Sequence, residues 1–78
     1  MGRLANISGK NAVKVFNKIG YRLDRQEGSH MILYSAKSGY PPLSIPNHRD
    51  LAPGLLQAQI KRAGLSVEDF LKLLKRKK

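Results

Sequence analysis

The chain has 78 residues and no cysteine, a combination that limits it to one small core held together by burial alone. A domain of this size buries only about 60% of the surface that its unfolded chain exposes, so its core must be economical. Because 41% of the residues are hydrophobic, we expect a folded protein and not a disordered one. We therefore predict that residues 1–78 form a single domain, with a disordered basic tail at residues 75–78.

Charge is the strongest signal in the composition. Lys and Arg number 15 and Asp and Glu number 5, so the formal net charge is +10 at pH 7. Such an excess favours an anionic partner: nucleic acid, anionic lipid or an acidic protein surface. No apolar run approaches the ~20 residues of a membrane span, which predicts a cytoplasmic protein that is not a membrane protein. Two histidines and five carboxylates do not suggest a zinc site, and we expect neither a metal nor a cofactor.

Hydrophobic periodicity changes along the chain in an order that predicts an α+β fold. Ser8 is a suitable N-cap for a helix that runs to about Ile19, and two strands joined by a tight turn follow it. A short third strand comes next, and two further helices begin at Pro53 and after Ser66. The order α-β-β-β-α-α predicts a small domain in which helices cover one face of a three-stranded antiparallel sheet.

The pairing of the first two strands depends on the turn between them. If Glu27-Gly28 is a two-residue hairpin loop, the register follows from its position. The predicted pairs are Leu23 with Ile32, Tyr21 with Tyr34, and Arg25 with His30. Because the first two pairs are apolar, we expect this face to be the core side, with the third pair at its edge.

Few residues are suited to enzyme chemistry, since the chain has no phosphate-binding glycine motif and no nucleophile elbow. What remains is His30, His48 and many cations, and an imidazole that titrates near ~6.5 exchanges protons at neutral pH. RNA cleavage needs little more, because the 2′-hydroxyl is an internal nucleophile.

On the residues alone, the chain is no more than a nucleic-acid-binding α+β module. In that interpretation His30 is a structural residue and His48 caps a helix. An adaptor for an acidic protein and a membrane-surface binder that uses the last helix are further alternatives.

The order of several short motifs resembles that of the HicA toxin family. The motifs are Gly20-Tyr21, Gly28-Ser29-His30, Ile45-Pro46-x-His48, Leu51-x-x-Gly54-x-Leu56, and Ile60-x-x-Ala63-Gly64-Leu65-Ser66 with Phe70-Leu71. They cover nearly the whole chain. The sequence departs from the commonest pattern at Gly54-Leu55-Leu56, where the family usually has Gly-Thr-Leu, so a phosphate contact or a cap is lost there.

The resemblance implies a fold like that of double-stranded-RNA-binding domains. It also implies a ribosome-independent endoribonuclease that cuts mRNA and arrests translation, with a HicB-type antitoxin that covers its catalytic surface. The family's catalytic histidine corresponds to His30. Gly28 and Ser29 present that histidine, and we count Ser29 among the residues that bind RNA. His48 matches a second recurrent position.

The mechanism expected from this resemblance uses no metal. His30 removes the 2′-hydroxyl proton or protonates the departing 5′-oxygen, and His48 is the candidate for the other proton transfer. Arg25, Arg22 and Lys14 are expected to hold the RNA backbone and to offset developing charge. A non-catalytic RNA-binding module of the same fold is the alternative.

Overall fold

The chain folds in the order α-β-β-β-α-α that the hydrophobic pattern predicts. The computed structural model describes residues 4–75. Its elements are α1 (Gly9–Lys18), β1 (Tyr21–Glu27), β2 (His30–Ser35), β3 (Leu43–Pro46), α2 (Pro53–Arg62) and α3 (Val67–Lys75). The strands form one antiparallel sheet in the order β1-β2-β3, so the predicted α+β meander is confirmed.

The helices begin where the capping residues predict. The Ser8 hydroxyl accepts a hydrogen bond of 3.1 Å from the backbone N–H of Asn11. The Ser66 hydroxyl accepts one of 3.0 Å from the N–H of Asp69. Each bond satisfies a backbone donor that has no partner within its own helix. α2 starts at Pro53, whose missing N–H costs nothing at a first helical position.

The core lies between the helices and one face of the sheet. Phe16 of α1 is fully buried at its centre, with its ring 6.1 Å from the Tyr21 ring and 5.4 Å from the Phe70 ring. Burial of each such side chain stabilises the fold by about 1.5–3 kcal/mol. The sheet contributes Met31, Leu33, Leu43 and Ile45, and the remaining helical members include Ala12, Val13, Val15, Leu56 and Ile60.

The hairpin between β1 and β2 turns one residue later than predicted. Its loop is Gly28-Ser29, and Glu27 pairs with His30 on either side of it. Gly28 has a φ of +61°, a conformation that glycine adopts at little cost and that suits the first position of a type II′ turn.

The register of the first two strands was therefore predicted wrongly. A bulge between Leu23 and Arg25 shifts it once more. The observed pairs are Tyr21 with Ser35, Arg22 with Tyr34, Leu23 with Leu33, and Arg25 with Ile32.

The core face of β2 is the opposite of the predicted one. Met31 and Leu33 are buried, whereas His30 is exposed and Tyr34 is 45% exposed. Moving the loop by one residue shifts the pairing by two residues and leaves the shared faces unchanged. The bulge changes them: Tyr21 and Leu23 lie on the face of Leu33, whereas Arg25 stays on the face of Ile32 and His30. The prediction that His30 and Tyr34 lie on the core side is wrong.

Two further large apolar residues lie at the surface, and Leu23 is the one that was predicted on the core side. Leu23 is 50% exposed, because β1 is an edge strand of the sheet and the helices do not cover its middle. Leu55 is 37% exposed, since α2 buries the neighbouring stripe that carries Leu56 and Ile60.

At the C-terminal end, Lys75 is the last residue of α3. The rest of the predicted disordered tail, residues 76–78, lies outside the described residues. Of the helices in residues 4–75, none has the length and apolar character needed to cross a membrane.

The close approach of α1 to β3 gives a test of the packing. Gly9, the first residue of α1, is buried, and a Cβ there would overlap the carbonyl oxygen of Pro46. We expect Gly9→Ala to lower the free energy of unfolding by about 1–3 kcal/mol, measured by urea denaturation.

The matched control for this substitution is Gly54→Ala in the first turn of α2. A Cβ at Gly54 would meet nothing within 4 Å, so we expect no loss and a gain of up to about 1 kcal/mol. Equal effects of the two substitutions would contradict the packing of α1 on β3.

Candidate functional site

One face of the sheet is left open to solvent. In the described part of the chain, the helices pack against the face that carries Met31 and Leu33. Cross-strand partners and alternate residues share a face, so the opposite side chains can be assigned from the register. They are Arg22, Arg25 and Glu27 of β1, His30, Ile32 and Tyr34 of β2, and Ser44 of β3. We call this set the open face.

His30 lies at one end of the open face, as the first residue of β2. It pairs with Glu27 of β1 on one side and with Pro46 of β3 on the other. The preceding loop is held in place, because the N–H of Asn47 donates a hydrogen bond of 2.6 Å to the carbonyl oxygen of Ser29. The imidazole is thus presented to solvent from a fixed backbone position.

His48 lies near the same end of the sheet. It is exposed and follows Pro46, the β3 partner of His30, by two residues. Its carbonyl oxygen accepts a hydrogen bond of 2.9 Å from the N–H of Gly9. The Cα atoms of the two histidines are therefore within about 13 Å of each other. Both histidines are thus exposed near one end of the sheet.

Arg25 is engaged by two carboxylates. Its Nε donates to Oε2 of Glu27 at 2.7 Å, and its Nη1 donates to Oδ2 of Asp24 at 2.9 Å. The hydrogen bond with Glu27 is the main reason that the pKa of the Arg25 guanidinium is raised. Two carboxylates around one guanidinium leave a local charge of about −1. Arg25, predicted to hold the RNA backbone, therefore points to acidic neighbours.

Arg22 and Tyr34 form a cross-strand pair at the other end of the open face. Both salt bridges found in residues 4–75 involve Arg25, and Arg22 takes part in neither. Tyr34 also lies near Arg25, since its hydroxyl contributes to the raised pKa of that guanidinium. Arg22 is thus the cation of the open face whose charge no carboxylate offsets.

Lys14 is not brought to His30. It is an exposed residue of α1 and lines a groove with Lys18 and Leu74. The ammonium of Lys18 donates a hydrogen bond of 2.8 Å to the carbonyl oxygen of Leu73, so this groove runs between α1 and α3. It lies on the helical side of the protein, away from the open face.

Sequence reasoning missed Glu27 and Tyr34 as neighbours of the site. The predicted register placed Glu27 in the hairpin loop and Tyr34 on the core side. A glutamate and a tyrosine are not by themselves signs of a functional site. In the part of the chain that the structure covers, no three His, Cys, Asp or Glu residues are grouped so that they could hold a metal ion. The site offers two imidazoles, one uncompensated guanidinium and one exposed aromatic ring.

Comparison with known proteins agrees with the motifs. The family model described as the HicA toxin of bacterial toxin–antitoxin systems matches residues 9–65, which is more than half of the 78-residue chain. The matched stretch begins with α1 and includes both histidines. Comparisons with curated proteins and with solved structures returned no significant match.

Proposed function

Because the chain belongs to the HicA toxin family of bacterial toxin–antitoxin systems, we propose that it is an endoribonuclease that cleaves mRNA with His30. The observation that carries the proposal is the exposed imidazole of His30 on the open face of a protein of net charge +10. A polyanion is attracted to such a protein through its phosphates. A histidine on a face free of helices can reach the backbone of an RNA bound there.

The proposed reaction is an internal transesterification. His30 accepts the proton of the 2′-hydroxyl while the 2′-oxygen forms a bond to phosphorus. The bond between phosphorus and the 5′-oxygen breaks, and His48 donates a proton to that oxygen. The products are a 2′,3′-cyclic phosphate and a 5′-hydroxyl. The chemistry needs only proton transfer and stabilisation of charge on the phosphorane oxygens.

The cations contribute unequally in this proposal. Arg22 binds an RNA phosphate because no carboxylate offsets its charge. Arg25 contributes less, since Asp24 and Glu27 already engage its guanidinium. The exposed Ser29 contacts the RNA backbone next to His30. Lys14 contacts RNA only if the RNA extends beyond the open face to the helical side.

Family membership implies an antitoxin partner. We propose a HicB-type antitoxin that covers the open face and so blocks access to His30. An acidic surface on that partner suits the net charge of +10. The toxin acts in the cytoplasm, where its mRNA substrate is translated.

The first test is His30→Ala. We expect the single-turnover rate of cleavage of an RNA oligonucleotide to fall by about 10²- to 10⁴-fold, because a positioned proton-transfer group contributes that much. RNA affinity, measured by fluorescence anisotropy, stays within about threefold, since the cationic residues remain.

His48→Ala is the comparison for this test. A bell-shaped pH–rate profile has one limb for the essential base and one for the essential acid. If His48 is the proton donor, His48→Ala removes the limb of the acid and keeps the limb of the base, His30. A folded His30→Ala protein that cleaves RNA as fast as the parent would show that the chain is a non-catalytic RNA-binding module.

Removal of divalent metal is the second test. We expect cleavage to continue at an unchanged rate in excess EDTA, because the nucleophile and both proton-transfer groups come from the RNA and from histidines. Mass spectrometry of the products should show 2′,3′-cyclic phosphate ends. A strict Mg²⁺ requirement, or products with 5′-phosphate ends, would contradict the mechanism.

The third test locates the RNA on the protein. Glu27→Gln and Glu68→Gln each raise the net charge by the same amount, but Glu27 lies on the open face and Glu68 in the first turn of α3. In the His30→Ala background at low salt, we expect Glu27→Gln to tighten RNA binding about threefold. Glu68→Gln should have a smaller effect, because salt screens its distant charge. Equal gains would place the RNA elsewhere.

A further inference from the structure

The open face carries an aromatic residue that the core does not use. Tyr34 lies four residues beyond His30 on β2 and on the same face. It is 45% exposed, whereas Tyr21 of β1 is only 2% exposed and packs against Phe16. The core side of β2 is formed by Met31 and Leu33, so packing does not explain an aromatic ring at Tyr34.

The neighbours of Tyr34 are suited to a nucleotide. Arg22 is its direct partner across the strands, and Ile32 separates it from His30 along β2. An exposed aromatic ring beside a guanidinium can stack on a base while the cation binds the adjoining phosphate. Every base has a π-face, so such a platform works without a fixed sequence.

We propose that Tyr34 is the stacking platform for an unpaired nucleobase of the RNA, with Arg22 on the adjoining phosphate. The inference rests on the proposed function, in that RNA is the ligand of the open face, and adds a base-binding subsite to it. Residues i and i+4 of a strand are about 13 Å apart. The stacked base therefore belongs to a nucleotide near the cleaved one and not to the cleaved nucleotide itself.

The subsite favours single-stranded RNA over a duplex. In a duplex the base faces are covered by their neighbours, and recognition relies on phosphates and 2′-hydroxyls. The hairpin end of the open face offers little to phosphates, because Asp24 and Glu27 surround Arg25 there. At the other end, Tyr34 and Arg22 lie side by side. An unpaired base can stack on the ring there while its phosphate binds the guanidinium, whose charge no carboxylate offsets.

The test compares RNA binding by tyrosine variants in the His30→Ala background, where RNA is not cut. The probe is a fluorescein-labelled oligoribonucleotide of mixed sequence, used single-stranded and annealed to its complement, with anisotropy as the readout. We expect Tyr34→Ala to weaken single-strand binding about tenfold and Tyr34→Phe to leave it unchanged, because the ring does the stacking. Binding of the duplex should be weaker than that of the single strand and unaffected by either variant.

The matched control is Tyr40→Ala. Tyr40 is also 45% exposed, but it packs beside Gly64 at the end of α2 on the helical side. We expect no change in RNA binding. Equal losses for Tyr34→Ala and Tyr40→Ala, no loss for Tyr34→Ala, or tighter binding of the duplex would each overturn the proposal.

Kinetics separate this inference from the nuclease proposal. With His30 intact, Tyr34→Ala should raise KM about tenfold and leave kcat and the pH–rate profile unchanged, because Tyr34 does not touch the reacting atoms. If the parent protein does not cleave RNA but Tyr34→Ala still weakens single-strand binding selectively, the nuclease proposal fails and the stacking subsite stands. If the parent protein cleaves RNA and Tyr34→Ala changes neither binding nor KM, the nuclease proposal stands and the stacking subsite is overturned.

Discussion

The backbone conformation of Gly28, together with the bulge in β1, determines which residues of β1 lie beside those of β2. Its φ of +61° places the two-residue loop at Gly28-Ser29, and the loop makes Glu27 and His30 the pair that closes the hairpin. Had the turn come one residue earlier, each pairing would have shifted by two residues and the shared faces would be unchanged. The bulge between Leu23 and Arg25 puts Tyr21 on the side of Leu33 and leaves Arg25 on the side of His30. Because of this bulge, the buried Tyr21 and the exposed His30 belong to the same hairpin, and Met31 and Leu33 are in the core.

The second histidine depends on backbone contacts made from the other side of the sheet. α1 approaches Pro46 closely because Gly9 has no side chain, and its N–H holds the carbonyl oxygen of His48. The N–H of Asn47 in turn holds the loop residue before His30. The backbone beside both histidines is therefore held by main-chain hydrogen bonds, and both side chains are exposed.

The elements could be predicted from the sequence, but their pairing could not. Caps at Ser8 and Ser66 are local signals, because the hydroxyl and the N–H that it binds lie within one turn of helix. The register had no such signal: Glu-Gly and Gly-Ser are both acceptable turn sequences, and residues 31–34 are apolar on both faces of β2. The bulge after Leu23 also breaks the alternation in β1, so a periodicity of two placed Arg25 and His30 on the face of Leu23 wrongly.

The electrostatics of the site follow from that pairing and not from composition. A net charge of +10 suggests a uniformly cationic surface, yet Asp24 and Glu27 make the hairpin end beside His30 locally negative. Non-specific attraction of a phosphate is consequently weaker beside Arg25 and His30 than near Arg22. In the proposed complex, an RNA strand held at the Arg22 end extends along β2 to reach His30. We therefore propose that the binding subsite, and not the overall charge, decides which phosphodiester meets the imidazole.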